Sequence, residues 1–234
     1  MIYSFESRIR YSEIDQRGRL SLPSLINYFQ DCSTFHSEDI GLGYEKIRKR
    51  GRVWVLSSWH IEIIELPKLG DEVKVKTFAT SFKGTQGNRN FIMVNVNDKV
   101  CAYANSIWVL VDTNSGMLTR ITEEDYKPYG TLKALEMEPV SRKIERLENA
   151  VNYPTLSVLK QHLDTNNHVN NGQYVQMALE ILAEDIPIKR LRVEYKKPAV
   201  YGDVIYPKMA QDSTRTVIEL QDEGGNPYTI VEII

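Results

Sequence analysis

The stretch Leu163-Asp164-Thr165-Asn166-Asn167-His168-Val169-Asn170-Asn171 gathers a histidine, a carboxylate and several carboxamides just ahead of a helical pattern. A histidine ordinarily titrates near neutral pH and can take a proton from water. Asp164, or the amide of Asn166, stands close enough in sequence to hold that imidazole in a productive tautomer. The string runs into a helix N-terminus, with Asn170 or Asn171 as N-cap. Unpaired backbone N–H groups there, and the positive end of the helix dipole, can polarise a carbonyl as it becomes an oxyanion. A base and a set of oxyanion donors are what hydrolysis of an activated acyl group requires. The bland account is that Asn and Asp cluster before helices because they cap and turn backbone. His168 is the residue that account does not need. Tyr174 reads as helix core and stays outside the catalytic set.

The elements that must position this string are legible around it. Tyr174, Met177, Ala178 and Ile181 fall at i, i+3, i+4 and i+7, giving a helix from about Asn171 to Glu184. Strands follow at Arg190 to Lys197, Asp203 to Ala210, Arg215 to Gln221 and Tyr228 to Ile233. The first half has the same order. Leu22, Leu25, Ile26 and Phe29 mark a helix from Ser21, its N-cap, to about Ile40, with Pro23 in the first turn. A meander of strands follows, Val53 to Ile64, Glu72 to Phe82, Asn88 to Asn97 and Val100 to Val111, separated by turns rich in Gly, Asn and Asp. Two local matches tie the halves together: Asp15 to Ser21 with Asp164 to Asn170, and Glu62…Gly70-Asp71 with Glu194…Gly202-Asp203. Self-similarity of this kind indicates duplication. The polar segment Thr122 to Ala150 connects the copies. The fold expected is α+β: a helix wrapped by an antiparallel sheet, met twice, as residues 1–125 and 150–234 joined by residues 126–149.

Length and composition fit this plan. The chain has 234 residues, 42% of them hydrophobic, enough for two small cores. A formal net charge of -2 gives no reason to expect nucleic acid as a partner. The amino terminus lacks the apolar run of a signal peptide and no stretch approaches the roughly 20 apolar residues of a membrane span, so a cytoplasmic protein is expected. Cys32 and Cys101 match no CxxC or Cys/His cluster and are expected as buried reduced thiols, with no metal site.

The motif Leu163-Asp164-x-Asn166-x-His168-Val169-Asn170-Asn171-x-x-Tyr174, followed by Glu194-Tyr195-Lys196-Lys197, resembles that of the acyl-acyl-carrier-protein thioesterases of plants and bacteria. Tyr11-x-x-x-Asp15-x-x-Gly18 and the run from Trp54 to Gly70-Asp71 resemble the family's first domain, so the likeness spans nearly the whole chain. The resemblance implies two tandem hotdog domains, each a long helix wrapped by a curved sheet, and hydrolysis of fatty acyl-carrier-protein thioesters without a cofactor. Asp164, Asn166 and His168 stand where the family has catalytic residues, and Asn170, Asn171 and Trp54 would contact substrate. The acyl chain would lie in the first domain, beside Trp54 and Trp59; the alternative is that these rings only fill a core. One departure matters. After Lys197 the plant enzymes continue with Glu and Cys, whereas this chain has Pro198 and Ala199, neither of which can act as base or nucleophile.

In the first half Arg19 occupies the place of His168, so one copy carries the base and the other supports it. Lys46-Ile47-Arg48-Lys49-Arg50-Gly51-Arg52 is strongly basic within a slightly acidic chain. Such a run is usually a solvated face. Here Lys46, Arg48, Lys49, Arg50 and Arg52 would also steer an acidic acyl carrier protein. A homodimer is compatible with tandem hotdogs. The rival functions are a hotdog thioesterase acting on CoA esters and a non-catalytic acyl-thioester-binding module.

Overall fold

The computed structural model describes residues 1–182 and 186–234. Its elements, in chain order, are β1 (Tyr3–Arg8), α1 (Leu22–Asp39), α2 (Tyr44–Lys49), β2 (Arg52–Ile63), β3 (Glu72–Lys83), β4 (Gln86–Asn95), β5 (Val100–Asp112) and α3 (Glu123–Tyr126). The second half supplies β6 (Val151–Asn152), β7 (Leu156–Ser157), α4 (Asn171–Leu179), β8 (Arg190–Tyr195), β9 (Val204–Gln211), β10 (Thr216–Gln221) and β11 (Pro227–Ile233). Residues group into two compact units, Met1–Ser57 with Ile63–Glu138, and Ser58–Glu62 with Pro139–Ile234.

In the first unit the strands run in the order β1-β3-β4-β5-β2, antiparallel through β1/β3, β3/β4 and β4/β5. Helix α1 packs on β1 and β3. Ser21 caps it by accepting the N–H of Ser24, and Pro23 sits in the first turn, where its missing donor costs nothing. Its apolar stripe continues past Phe29 to Cys32 and His36, so a thiol and an imidazole occupy core positions at its far end. Phe29 meets Phe91 of β4 at 5.2 Å between ring centroids. Fully burying side chains of this size stabilises the unit by about 1.5–3 kcal/mol each. The expected strand Asn88 to Asn97 lies two residues earlier. The Asn95 carboxamide accepts the N–H groups of Asn97 and Lys99, and Asp98 takes a left-handed φ of 57°, which turns the chain at once.

In the second unit residues 58–62 of β2 pair antiparallel with β8, and the order continues β8-β11-β10-β9-β6, with β7 also on β9. Helix α4 packs on β10 and β11. It ends at Leu179, so Ile181 lies beyond it, and Glu184, the expected end, lies outside the described residues. Pro187 disfavours helical geometry at Ile186, the residue before it. The connecting segment is anchored at both ends. Tyr129 is buried in the first unit, and the N–H of Leu135 donates to Asn90 there. Ile144 is buried in the second with Val217 and Ile230, and Arg192 donates to the carbonyl of Ser141. Both cysteines are buried and free, and burial pushes the Cys32 thiol up to about 12. No helix among the described residues is long and apolar enough to cross a membrane.

Candidate active site

The turn that carries His168 is built by Asp164. Its Oδ1 accepts the backbone N–H of Asn166 at 2.7 Å and of His168 at 3.2 Å, while its own N–H donates to the His168 carbonyl at 2.7 Å. Asn167 sits between them at φ +60°, a conformation Asn tolerates better than most residues. Leu163 bridges to Val169 and His168 to Val200, and the N–H of Val169 donates to the Ala199 carbonyl at 2.9 Å. The turn is thereby clamped between α4 and the segment after β8. Asn170 is the N-cap of α4, its side chain accepting the Gly172 N–H at 2.8 Å, which settles the choice left open between Asn170 and Asn171. Asn171 is the first helical residue, and its carbonyl accepts the Tyr195 hydroxyl at 3.1 Å.

The three candidate catalytic residues are therefore on one tight turn at a helix N-terminus, but their side chains do not interlock. The Asp164 carboxylate holds backbone N–H groups and positions His168 through its main chain. The His168 imidazole, half-buried, and the Asn166 carboxamide, exposed, have no hydrogen-bond partner among the described residues. Both are open to a substrate or a water.

The first half repeats this construction. Asp15 Oδ1 accepts the N–H groups of Arg17 at 2.9 Å and Arg19 at 3.0 Å, its own N–H donates to the Arg19 carbonyl, and Ile14 bridges to Leu20. Gly18, at φ +71°, stands where Asn167 is. The N–H of Leu20 donates to the Pro67 carbonyl as that of Val169 does to Ala199. The second match is equally close: Gly70 and Gly202 have φ of +86° and +89°, and the Asp71 and Asp203 carboxylates accept the N–H groups of Lys68 and Val200 at 2.8 and 2.9 Å. The local geometry is duplicated; the imidazole is present in the second copy alone.

Of the two positions that depart from the resemblance, Pro198 is exposed and Ala199 is sealed. Ala199 is fully buried, and its N–H donates to the Tyr174 hydroxyl at 2.7 Å. Tyr174 thus has a structural task, satisfying a buried donor, and burial raises its pKa. At the corresponding first-half positions stand Leu25 and Pro67, an apolar side chain and a residue with no N–H to satisfy. Glu194 is also committed. Its Oε2 accepts the N–H of Ile144 at 3.1 Å and its Oε1 pairs with Lys196. Glu62, its counterpart, lies between His60 and Arg190. Both glutamates hold structure together.

The remaining candidates lie elsewhere. Trp54, half-buried on β2, packs against Phe82 with centroids 6.0 Å apart. Trp59 falls in the second unit, where it pairs with Val193 of β8. The basic run divides in two. Lys46, Arg48 and Lys49 are exposed on α2, with Arg48 over the Tyr44 ring and Lys49 3.6 Å from Glu45. Arg50 and Arg52 instead bind the buried carboxylate of Asp125, Arg50 at 2.9 Å. Residues the sequence reading passed over are Arg89, His36 and Tyr129, a buried polar cluster in the first unit. The signal was an arginine alternating with Phe91 and Met93 on β4.

Residues 2–129 match the family model of the acyl-ACP thioesterase N-terminal domain, and residues 146–233 match that of the C-terminal domain. The chain belongs to the acyl-ACP thioesterase family. The resemblance drawn from the Asp164–Tyr174 motif is thereby borne out. Relatives include the chloroplastic oleoyl-acyl carrier protein thioesterase 1 of Arabidopsis thaliana, 24% identical over 84% of this chain and 60% of that protein. Another is the chloroplastic palmitoyl-acyl carrier protein thioesterase of Gossypium hirsutum, 25% identical over 84% of this chain and 52% of its own length. The chain spans between half and two thirds of the length of these curated relatives. Among solved structures, an acyl-ACP thioesterase from Bacteroides thetaiotaomicron superimposes with a TM-score of 0.90 at 23% identity, covering 100% of this chain and 97% of that one. The 12:0-ACP thioesterase from Umbellularia californica does so with a TM-score of 0.87 at 20% identity, over 99% and 96%. These likenesses show the fold, the hotdog arrangement expected from the sequence. Family members thus share the fold with this chain while differing at most positions.

Proposed function

We propose that this chain hydrolyses fatty acyl-carrier-protein thioesters to the free fatty acid and the carrier thiol, terminating fatty-acid synthesis in the cytoplasm. The observation that carries the reading is the duplicated turn: the same Asp-anchored loop is built twice, and only the copy at the N-terminus of α4 presents an imidazole. In the proposed reaction His168 takes a proton from a water that Asn166 helps to position. The resulting hydroxide adds to the thioester carbonyl, and the oxyanion forms near the positive end of α4. The C–S bond then breaks, and the sulfur leaves with the proton held by the imidazolium. Asn170 and Asn171 would line the entry to this point. Positioned general-base catalysis is typically worth about 10²–10⁴ in rate, and that is the loss expected of His168→Ala.

The acyl chain is proposed to lie in the first hotdog, the residue 1–125 half, with Trp54 against it, and residues 150–234 carry the chemistry. Carrier docking falls to the basic run. Lys46, Arg48 and Lys49 are its outward charges, while Arg50 and Arg52 hold the run to Asp125. Sealing of Ala199 and commitment of Glu194 favour one other reading, an acyl-thioester-binding module that does not turn over. Free-thiol release from a panel of acyl-carrier-protein and acyl-CoA thioesters, with His168→Ala alongside, separates the two. Carrier-preferring turnover lost in the variant supports hydrolysis. Preference for the CoA esters would move the assignment to an acyl-CoA thioesterase, and tight binding without turnover would refute hydrolysis altogether.

A further inference from the structure

Strand β4 alternates Gly87, Arg89, Phe91 and Met93 toward the buried side, the face on which Phe91 meets Phe29 of α1. Arg89 is therefore a guanidinium on the helix-facing side of the first sheet, 7% exposed. Its Nη1 donates to His36 Nδ1 at 3.1 Å and to Thr77 Oγ1 at 3.3 Å, and it lies 5.0 Å from the centroid of the Tyr129 ring. No carboxylate pairs with it among the described residues. Its neighbours are also neutral. Burial, with the adjacent Arg89 charge, pushes His36 down to about 4, and burial raises the Tyr129 hydroxyl.

A buried guanidinium stays protonated, and leaving it without a counter-charge is costly, which makes such a group a candidate for ligand recognition. The spare donors point the same way: Nε and Nη2 have no acceptor among the described residues. Aromatic contacts link this point to Trp54: Trp54 to Phe82 at 6.0 Å, Phe82 to Tyr129 at 6.0 Å, and Tyr129 to Arg89. We infer that Arg89 recognises an oxygen acceptor at the far end of the acyl group, so that the preferred substrate bears a hydroxyl, carbonyl or carboxylate remote from the thioester. This inference rests on the reading that the acyl chain occupies the first hotdog.

The test compares wild type with Arg89→Met and Arg89→Lys on carrier thioesters of matched length bearing a plain, ω-hydroxy, ω-oxo or ω-carboxy acyl chain. Wild type should favour at least one oxygenated chain by about tenfold or more in kcat/KM, through KM, and the four arms say which oxygen. Arg89→Met should abolish that preference, and Arg89→Lys, with its charge but no planar fork, should keep part of it. A purely structural arginine would lower turnover of every substrate alike, and that outcome, or a wild-type preference for plain chains, overturns the inference. If Arg89→Met does not fold, the Arg89→Lys ratio decides. Should no thioester be hydrolysed, the function fails but the recognition is still read by calorimetry with the same four carrier thioesters. Tighter binding of an oxygenated chain than of the plain one, lost in Arg89→Met, supports the inference, and equal binding of all four overturns it.

Discussion

The pair Tyr174 and Ala199 can be tested against its own first-half counterpart. Tyr174→Phe keeps the ring and removes the acceptor of the fully buried Ala199 N–H. A buried donor left without a partner costs about 1–3 kcal/mol. Taking ~2 kcal/mol, a chain of this size should lose about 4–8 °C in Tm, or a matching shift in the urea midpoint. Ala199→Pro removes the donor itself. The position accepts proline in principle, because Pro67 occupies the equivalent place and its carbonyl still receives the Leu20 N–H, as Ala199 receives that of Val169. Alone, Ala199→Pro strands the tyrosine hydroxyl. Combined, the two substitutions reproduce the apolar/proline arrangement of Leu25 and Pro67, and the double variant should recover at least ~1 kcal/mol relative to the sum of the singles. Urea titrations of the four proteins, followed by tryptophan fluorescence, measure this coupling. An effect of Tyr174→Phe below about 0.5 kcal/mol, or strict additivity in the double variant, would refute the assignment of Tyr174 as a satisfier of buried backbone.

Three further outcomes are expected. Asp164→Ala removes the acceptor of two backbone N–H groups and should cost about 1–2 kcal/mol and lower kcat, whereas Asp15→Ala should cost similar stability and leave kcat near wild type; equal kcat losses would separate the turn from catalysis. His36, 2% exposed and held neutral near Arg89, the N-terminal amine and Asp39, between the rings of Tyr3 and Tyr129, has its folded pKa lowered to about 4, so the unfolded chain binds its proton first. Stability should thus be intact above the ordinary histidine pKa and fall as pH drops toward 4, by about 3 kcal/mol; His36→Gln should flatten that slope in urea titrations at stepped pH, and an unchanged slope would exclude His36 as its source. Lys46→Glu with Lys49→Glu should raise KM for carrier-bound substrate more than for the CoA ester, most clearly at low salt, while Arg50→Glu should chiefly destabilise by unpairing Asp125; equal KM effects on both substrates would remove α2 from carrier docking.

Local pattern alone determined much of this protein. The apolar spacing of Leu22 to Phe29 and of Tyr174 to Ala178, the Gly/Asn/Asp turns and the Asp-anchored string before each helix specify elements through short-range sterics and hydrogen bonding, and the duplication follows from their order. The Asp164–His168 turn was legible because Asp, Asn and a left-handed position act within a few residues of one another. What the tertiary structure decided depends on partners far away in sequence. That the Asp164 carboxylate turns to backbone N–H groups, leaving the His168 imidazole open, depends on how the turn is clamped against Val200 and Ala199. That half of the basic run is consumed by Asp125 depends on a carboxylate some 70 residues later. Arg89 shows the limit most clearly: a strand pattern reveals that an arginine points inward, but only the packing of α1, β3 and the Tyr129 segment around it reveals that it meets imidazole, hydroxyl and ring rather than an acid. Charge pairing between distant segments is a property of the assembled fold, since the energy of a buried charge is set by what surrounds it in space.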